Sequence, residues 1–177
     1  MLKLIISKDR IRECVSKMAS EIAAHYQGKD LVVICVLKGA FVFFSDLVRA
    51  LPMDVSVDFV RLSSYGNASV SSRNVRLTKD VEIPIQGRDV LIVEDIIDSG
   101  RSLSFLARHL QEKGASSVKI ATFIDKKERR ETDIQADFIG FDMPSGFIVG
   151  YGLDFAEKYR NLDAIYELCL PAGKEDA

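Results

Sequence analysis

What this chain lacks narrows the field first. No apolar run approaches the roughly 20 residues that a membrane span needs, and the first residues lack the charged-then-apolar order of a secretory signal. Basic excess is also missing. A formal net charge of −2 gives no electrostatic reason to expect nucleic acid as the main ligand. Cysteine is scarce, and Cys14, Cys35 and Cys169 match no zinc spacing. Each sits in an apolar pattern, so buried free thiols are expected, and with no export signal the cytoplasm is favoured. The only histidines, His25 and His109, fall near expected helix ends, which argues against a histidine metal or catalytic site. Internal repeats and low-complexity tails are absent, so residues 1–177 are expected to form one domain.

The most informative segment runs from Val90 to Ser102. Val90, Leu91, Ile92 and Val93 read as a buried parallel strand, and Glu94 and Asp95 stand where that strand should end. The compact turn Asp98, Ser99, Gly100, Arg101, Ser102 follows. Helical spacing of Leu103, Leu106, Ala107 and Leu110 then predicts a helix in place from Ser104. A strand, a tight turn and a helix N-terminus offer backbone N–H groups and a positive dipole end to a phosphate. Gly100 lets the backbone approach, and Ser99 and Ser102 add hydroxyls. An acidic pair beside such a cradle suits ribose hydroxyls or a hard divalent cation. The chemistry indicated is that of an enzyme using a phosphorylated sugar.

Elsewhere Ser7 can cap a helix carrying Ile11, Cys14, Val15, Met18 and Ile22 and stopping near Gly28. Leu31 to Leu37 reads as a strand, Phe41 to Ala50 as a helix ended by Leu51-Pro52, and Val55 to Leu62 as a strand. Residues 63–76 are serine-rich with no apolar period and read as a loop. Further strands are expected at Val118 to Ile124 and Phe138 to Phe141. Apolar strands alternating with helices imply a parallel sheet covered on both faces, with ligands beyond the carboxyl ends of its strands. Lys38-Gly39, the 94–102 segment and Asp125-Lys126 all fall just after apolar strands, so three polar clusters should converge on one edge.

These segments resemble type I phosphoribosyltransferases, the hypoxanthine-guanine branch in particular. The Glu94-Asp95-Ile96-Ile97-Asp98-Ser99-Gly100 order is similar to the family's phosphoribosyl-diphosphate motif. Val36-Leu37-Lys38-Gly39-Ala40 resembles its diphosphate loop, although the family commonly has a second glycine at Ala40. Ser64-Tyr65-Gly66-Asn67 looks like its closing loop, Asp125-Lys126 like its base-recognition segment, and the 147–154 stretch like its purine-binding stretch. Arg160 stands at the family's C-terminal arginine position.

The resemblance implies an α/β fold with a central, mainly parallel sheet flanked by helices on both faces. It adds a small hood from about residues 1–8 and 140–177 and a lid at about 63–78. It implies transfer of phosphoribose to hypoxanthine, with guanine as a second base, and purine salvage as the setting. Carried over residue by residue, Asp98 becomes the general base at purine N7. The 98–102 turn holds the 5′-phosphate, and Glu94 and Asp95 meet the ribose hydroxyls near one magnesium. Lys38 and Gly39 bind diphosphate through the backbone, with an unusual peptide conformation between Leu37 and Lys38. Lys126 donates to the purine O6, which disfavours adenine. Phe147 stacks on the base, the Ile148 backbone reads its edge, Asp154 ligates a second magnesium and Arg160 meets the diphosphate. Ser64 and Tyr65 make the lid contacts, and the family forms dimers and tetramers. Two alternatives stay open: a xanthine- or guanine-preferring enzyme on the same scaffold, and an RNA-binding regulator built on it, which would need a basic face.

Overall fold

A computed structural model describes residues 1–65 and 74–168. Strand β1 (Leu2–Ile6) leads into helix α1 (Lys8–His25), then β2 (Leu31–Leu37), α2 (Phe41–Ala50), β3 (Ser56–Tyr65) and β4 (Asn74–Lys79). Next come β5 (Asp89–Ile97), α3 (Arg101–Glu112), β6 (Ser117–Lys126), β7 (Phe138–Met143), β8 (Ile148–Val149) and β9 (Ile165–Leu168). A six-stranded sheet has the order β4-β3-β2-β5-β6-β7. It is parallel from β3 to β7, and β4 joins antiparallel at the edge.

Helices cover both faces. Helix α1 starts at Ser7, whose hydroxyl accepts from the Arg10 N–H, and buries Ile11, Val15, Met18, Ala19 and Ile22 at helical spacing. With Phe43, Phe44 and Leu47 of α2 it packs on the sheet side that presents Val33, Cys35 and Leu91. Helix α3 buries Leu103, Leu106 and Leu110 against Val32, Ile34, Val90 and Ile92 on the other side. Alternate residues of β2 and β5 therefore feed opposite cores, which is why both strands read as unbroken apolar runs.

Three elements differ from expectation. Strand β5 continues through Glu94 and Asp95 to Ile97, because its ladder with β6 goes on through Glu94↔Thr122, Ile96↔Ile124 and Ile97↔Asp125. Backbone pairing outweighs the polarity of the side chains, and the two carboxylates belong to the strand itself. Helix α3 then begins at Arg101, three residues earlier than its apolar period suggests. Both stems of the expected loop at 63–76 are strands, paired Ser63↔Arg76, Ser64↔Val75 and Tyr65↔Asn74. The centre of the proposed lid, including Gly66 and Asn67, lies outside the described residues, as does Cys169.

A second, three-stranded sheet, β1-β9-β8, is antiparallel and forms the hood. Its strands were not individually foreseen: β1 is mostly exposed, and β8 has two residues. The histidines end helices as expected. His25 closes α1, and His109 in the last turn of α3 meets both Asp80 carboxylate oxygens at 3.0 Å. Cys35 is buried and Cys14 half-buried, and both are free. Burial, with Glu94 and Asp95 nearby, pushes the Cys35 thiol up to about 12. No helix among the described residues is long and apolar enough to cross a membrane.

Candidate active site

The carboxyl ends of β2, β5 and β6 carry the polar clusters, as the parallel topology requires. Beyond β2 the Leu37–Lys38 peptide is cis. Gly39 follows with no room for a side chain, because a Cβ there would overlap the Asp95 carboxylate. The hood closes on the same loop. At Gly152, φ is +102° and an added Cβ would overlap the Gly39 carbonyl. Two backbones and a carboxylate thus meet where only glycine fits.

Glu94 and Asp95 are adjacent, and neither has an ion-pair partner among the described residues. Glu94 is 9% exposed. The hydrogen bonds these carboxylates accept come from the next N–H groups, Asp95 N at 3.2 Å and Ile96 N at 2.9 Å. Burial, and then repulsion from Asp95, holds the Glu94 carboxyl well above the usual range. Burial raises Asp95 as well, against the pull of its own hydrogen bonds and of Arg160.

The turn after β5 is not a side-chain cap. Gly100 is the residue before α3, at φ 80°, with no side-chain hydrogen bond to the helix. Asp98 is therefore not an N-cap, and its Oδ1 is buried with no hydrogen-bond partner. The Ser99 hydroxyl accepts weakly from Arg101 N at 3.4 Å. Ser102 is half-buried in the first turn of the helix, whose early N–H groups have no intrahelical acceptor. The Arg101 guanidinium pairs with Glu131.

At the other end of the site Lys126 closes β6 with its side chain 13% exposed, its ammonium 3.9 Å from Glu128. Phe147 is 45% exposed, its ring supported edge-on by Phe155 at 5.3 Å. An exposed face on a fixed ring is suited to stacking. Ile148 is buried in β8. Arg160 donates to the Gly152 carbonyl at 2.8 Å and pairs with Asp154 at 2.7 Å, leaving its Nε buried and unpartnered. Lys38 reaches across to Glu157 at 2.7 Å. Lys38, Gly39, Asp95, Asp154 and Arg160 are thus gathered on one side of the site. The side chains of Ser64 and Tyr65 lie outside the description, although both residues end β3. A groove of about 730 Å³ between α1, α2 and the 151–163 segment holds Arg160 but none of Glu94, Asp98, Lys126 and Phe147.

Sequence reasoning missed Arg130, which stands in a mixed-charge run with Lys127, Glu128, Arg129 and Glu131. The structure tucks its side chain beneath the turn, where it bonds to the Asp98, Lys126 and Ile134 carbonyls and pairs with buried Asp125. Composition carried no signal for this. Its place four residues after Lys126 was the sole hint.

An open helix start after a glycine turn, an acidic strand end and a lysine on the neighbouring strand are the arrangement of a phosphoribosyl-transfer scaffold. Residues 7–156 match the family model described as the phosphoribosyl transferase domain, and the chain belongs to that family. Within it, the chain is 46% identical to a hypoxanthine-guanine phosphoribosyltransferase of Bacillus subtilis, over 92% of this chain and 91% of that one. It is 47% identical to the bifunctional protein TilS/HprT of Listeria innocua, of which it spans 25% while 92% of this chain is covered. A crystal structure of a hypoxanthine-guanine phosphoribosyltransferase from Bacillus anthracis superposes with a TM-score of 0.91 at 45% identity, covering 96% of this chain and all of that one.

Proposed function

We propose that this chain transfers the 5-phosphoribosyl group from phosphoribosyl diphosphate to hypoxanthine, and to guanine, giving IMP or GMP and diphosphate in purine salvage. The observation that carries the reading is Asp98, whose buried, unpartnered Oδ1 stands in the turn between the acidic end of β5 and the open N-terminus of α3.

A purine nitrogen replaces diphosphate at C1 of the ribose, so positive charge grows on the ring and negative charge on the leaving group. The 98–102 turn holds the 5′-phosphate through its amides and hydroxyls. Glu94 and Asp95 accept from the ribose hydroxyls. Asp98 takes the proton from purine N7. Lys126 donates to O6, and an amino group there, as in adenine, would meet donor with donor. Phe147 stacks on the base, and the Ile148 backbone reads its edge. The backbone of Lys38 and Gly39, with Arg160, receives the diphosphate, and Ser64 and Tyr65 close over it.

Magnesium fits the donor set. Among the described residues no three Asp, Glu, His or Cys side chains form a ready metal cage. Magnesium needs none, since it commonly uses one or two carboxylates with substrate oxygens and water. Glu94 and Asp95 would hold one ion and Asp154 a second, and the metal would neutralise the diphosphate charge. The free Cys14 and Cys35 support a reducing, cytoplasmic location, and a homodimer or homotetramer is the expected assembly. Nucleic acid and membrane are not expected partners.

The test is nucleotide formation from phosphoribosyl diphosphate and magnesium with hypoxanthine, guanine, xanthine and adenine side by side. IMP should form only with magnesium, and Asp98→Asn should lower kcat by about 10²–10⁴, the range for losing a general base. The relative rates with guanine and xanthine name the preferred base. No turnover with any base would overturn the enzyme reading and make RNA binding the next assay.

A further inference from the structure

Arg130 lies behind the 98–102 turn and bonds the backbones of both Asp98 and Lys126. Its side chain is 16% exposed. Nε donates to the Asp98 carbonyl at 3.1 Å, and Nη1 donates to the Ile134 carbonyl at 2.7 Å. Nη2 pairs with the Asp125 carboxylate and reaches the Lys126 carbonyl at 3.3 Å. One rigid, planar group thus holds the backbone of the general-base residue and the backbone of the purine lysine together. Asp125, buried at the end of β6, anchors it from behind.

The segment that carries Arg130 backs the same turn. Glu131 N donates to the Ser99 carbonyl at 2.9 Å, and the Thr132 hydroxyl reaches it at 3.5 Å. A Cβ on Gly100 would overlap the Thr132 hydroxyl and crowd Ile134 and Arg130. Residues 130–134 are therefore packed against the underside of the phosphate turn as a strap.

We propose that Arg130, anchored by Asp125, is a positioning residue that fixes the Asp98 turn relative to Lys126. The proposal rests on the phosphoribosyl-transfer reading above. The geometry explains the residue type. A guanidinium spreads its donors over three nitrogens in a rigid plane, whereas a lysine ammonium carries its three donors on one nitrogen at the end of a flexible stem. The base that removes the N7 proton and the lysine that binds O6 act on opposite ends of one small ring system. A misplacement of about 1 Å between them can cost on the order of a hundredfold in rate.

The test compares the parent with Arg130→Lys, which keeps a cation beside Asp125 but loses the fork. A second variant, Asp125→Asn with Arg130→Gln, removes both buried charges together and strands neither. Each is assayed below its own melting temperature for kcat and for the KM of hypoxanthine and of phosphoribosyl diphosphate. The expected result is a kcat lowered about 10–100-fold, with either KM moved by no more than a few-fold, because the alignment matters most in the transition state. A role limited to holding the 125–134 segment together would lower the melting temperature and leave kcat per folded molecule unchanged. Either folded variant with kcat within about twofold of an active parent overturns the proposal. A parent without turnover would instead overturn the reading on which the proposal rests.

Discussion

Asp58 on β3 and the Glu94–Asp95 pair on β5 lie in one sheet and are treated in opposite ways. Asp58 on β3 is 5% exposed and fully answered. It accepts from the N–H groups of Phe59 and Glu82 at 2.7 Å and of Ile83 at 3.1 Å, with the Lys79 ammonium 3.7 Å away. Burial works against its charge, but these partners outweigh it and hold its carboxyl below the usual range. Glu94 and Asp95 on β5 each accept only the next N–H and have no ion-pair partner among the described residues, and burial drives both upward. Asp58 ties the chain after β4 to β3 and is spent on the fold. Each β5 carboxylate accepts one N–H where Asp58 accepts three, and burying charge with so little compensation is costly. The difference is the one expected between a structural carboxylate and, on the function proposed above, a pair held ready for substrate.

The largest effect should come from neutralising the β5 pair. Glu94→Gln and Asp95→Asn are each expected to lower turnover by on the order of a hundredfold, the scale of losing one preorganised electrostatic contact. Stability should hold, or rise by on the order of 1 kcal/mol, since a buried like-charge contact is relieved. Steady-state kinetics and urea denaturation check both halves. A variant that loses more than about 2 kcal/mol of stability would show that the pair serves the fold, and the contrast with Asp58 would collapse.

Asp58→Ala is the mirror experiment. Three backbone N–H groups lose their acceptor, so the cost should be about 2–3 kcal/mol. For a chain of this size that means roughly 4–12 °C in Tm. The kcat of the molecules that remain folded should be unchanged. A kcat reduced well below the parent's, with Tm preserved, would place Asp58 in the chemistry and reverse the assignment.

Much of this was legible beforehand, for physical reasons that differ by element. Strand β2 and helix α2 lie on the residues expected because each is an apolar run with sharp breakers at its ends. The turn between β5 and α3 was legible through local order, since a turn that opens a helix must be written contiguously. The end of β5 was not, because the ladder to β6 decides it and the partner lies some 30 residues away in sequence. The hood was only a segment without strands, because β1 is mostly exposed and β8 has two residues, too few to show alternation. Arg130 was illegible for another reason. The Lys127–Glu131 run has the composition of a solvated surface, and only the three-dimensional path of the chain turns one member inward.

The smallest effects, and the most diagnostic of sign, lie in the pH dependence of stability measured without divalent cations. Asp58 has a folded pKa below its unfolded value of about 3.9. Its stabilisation is therefore complete above that value and is lost as pH falls through the folded pKa. The parent's advantage over Asp58→Asn should stand from about pH 5 upward and shrink below about pH 4. Glu94 has a folded pKa raised above its unfolded value of about 4.3, so the folded state holds the proton more tightly. Its contribution is present in acid and declines as pH rises past that value. The stability of Glu94→Gln relative to the parent should therefore grow from about pH 4 towards neutrality. Denaturation curves at four or so pH values separate the two trends. Parallel curves for both variants would mean that the two carboxylate sites share one electrostatic role, and opposite slopes would mean that the sheet answers one charge and withholds an answer from the other.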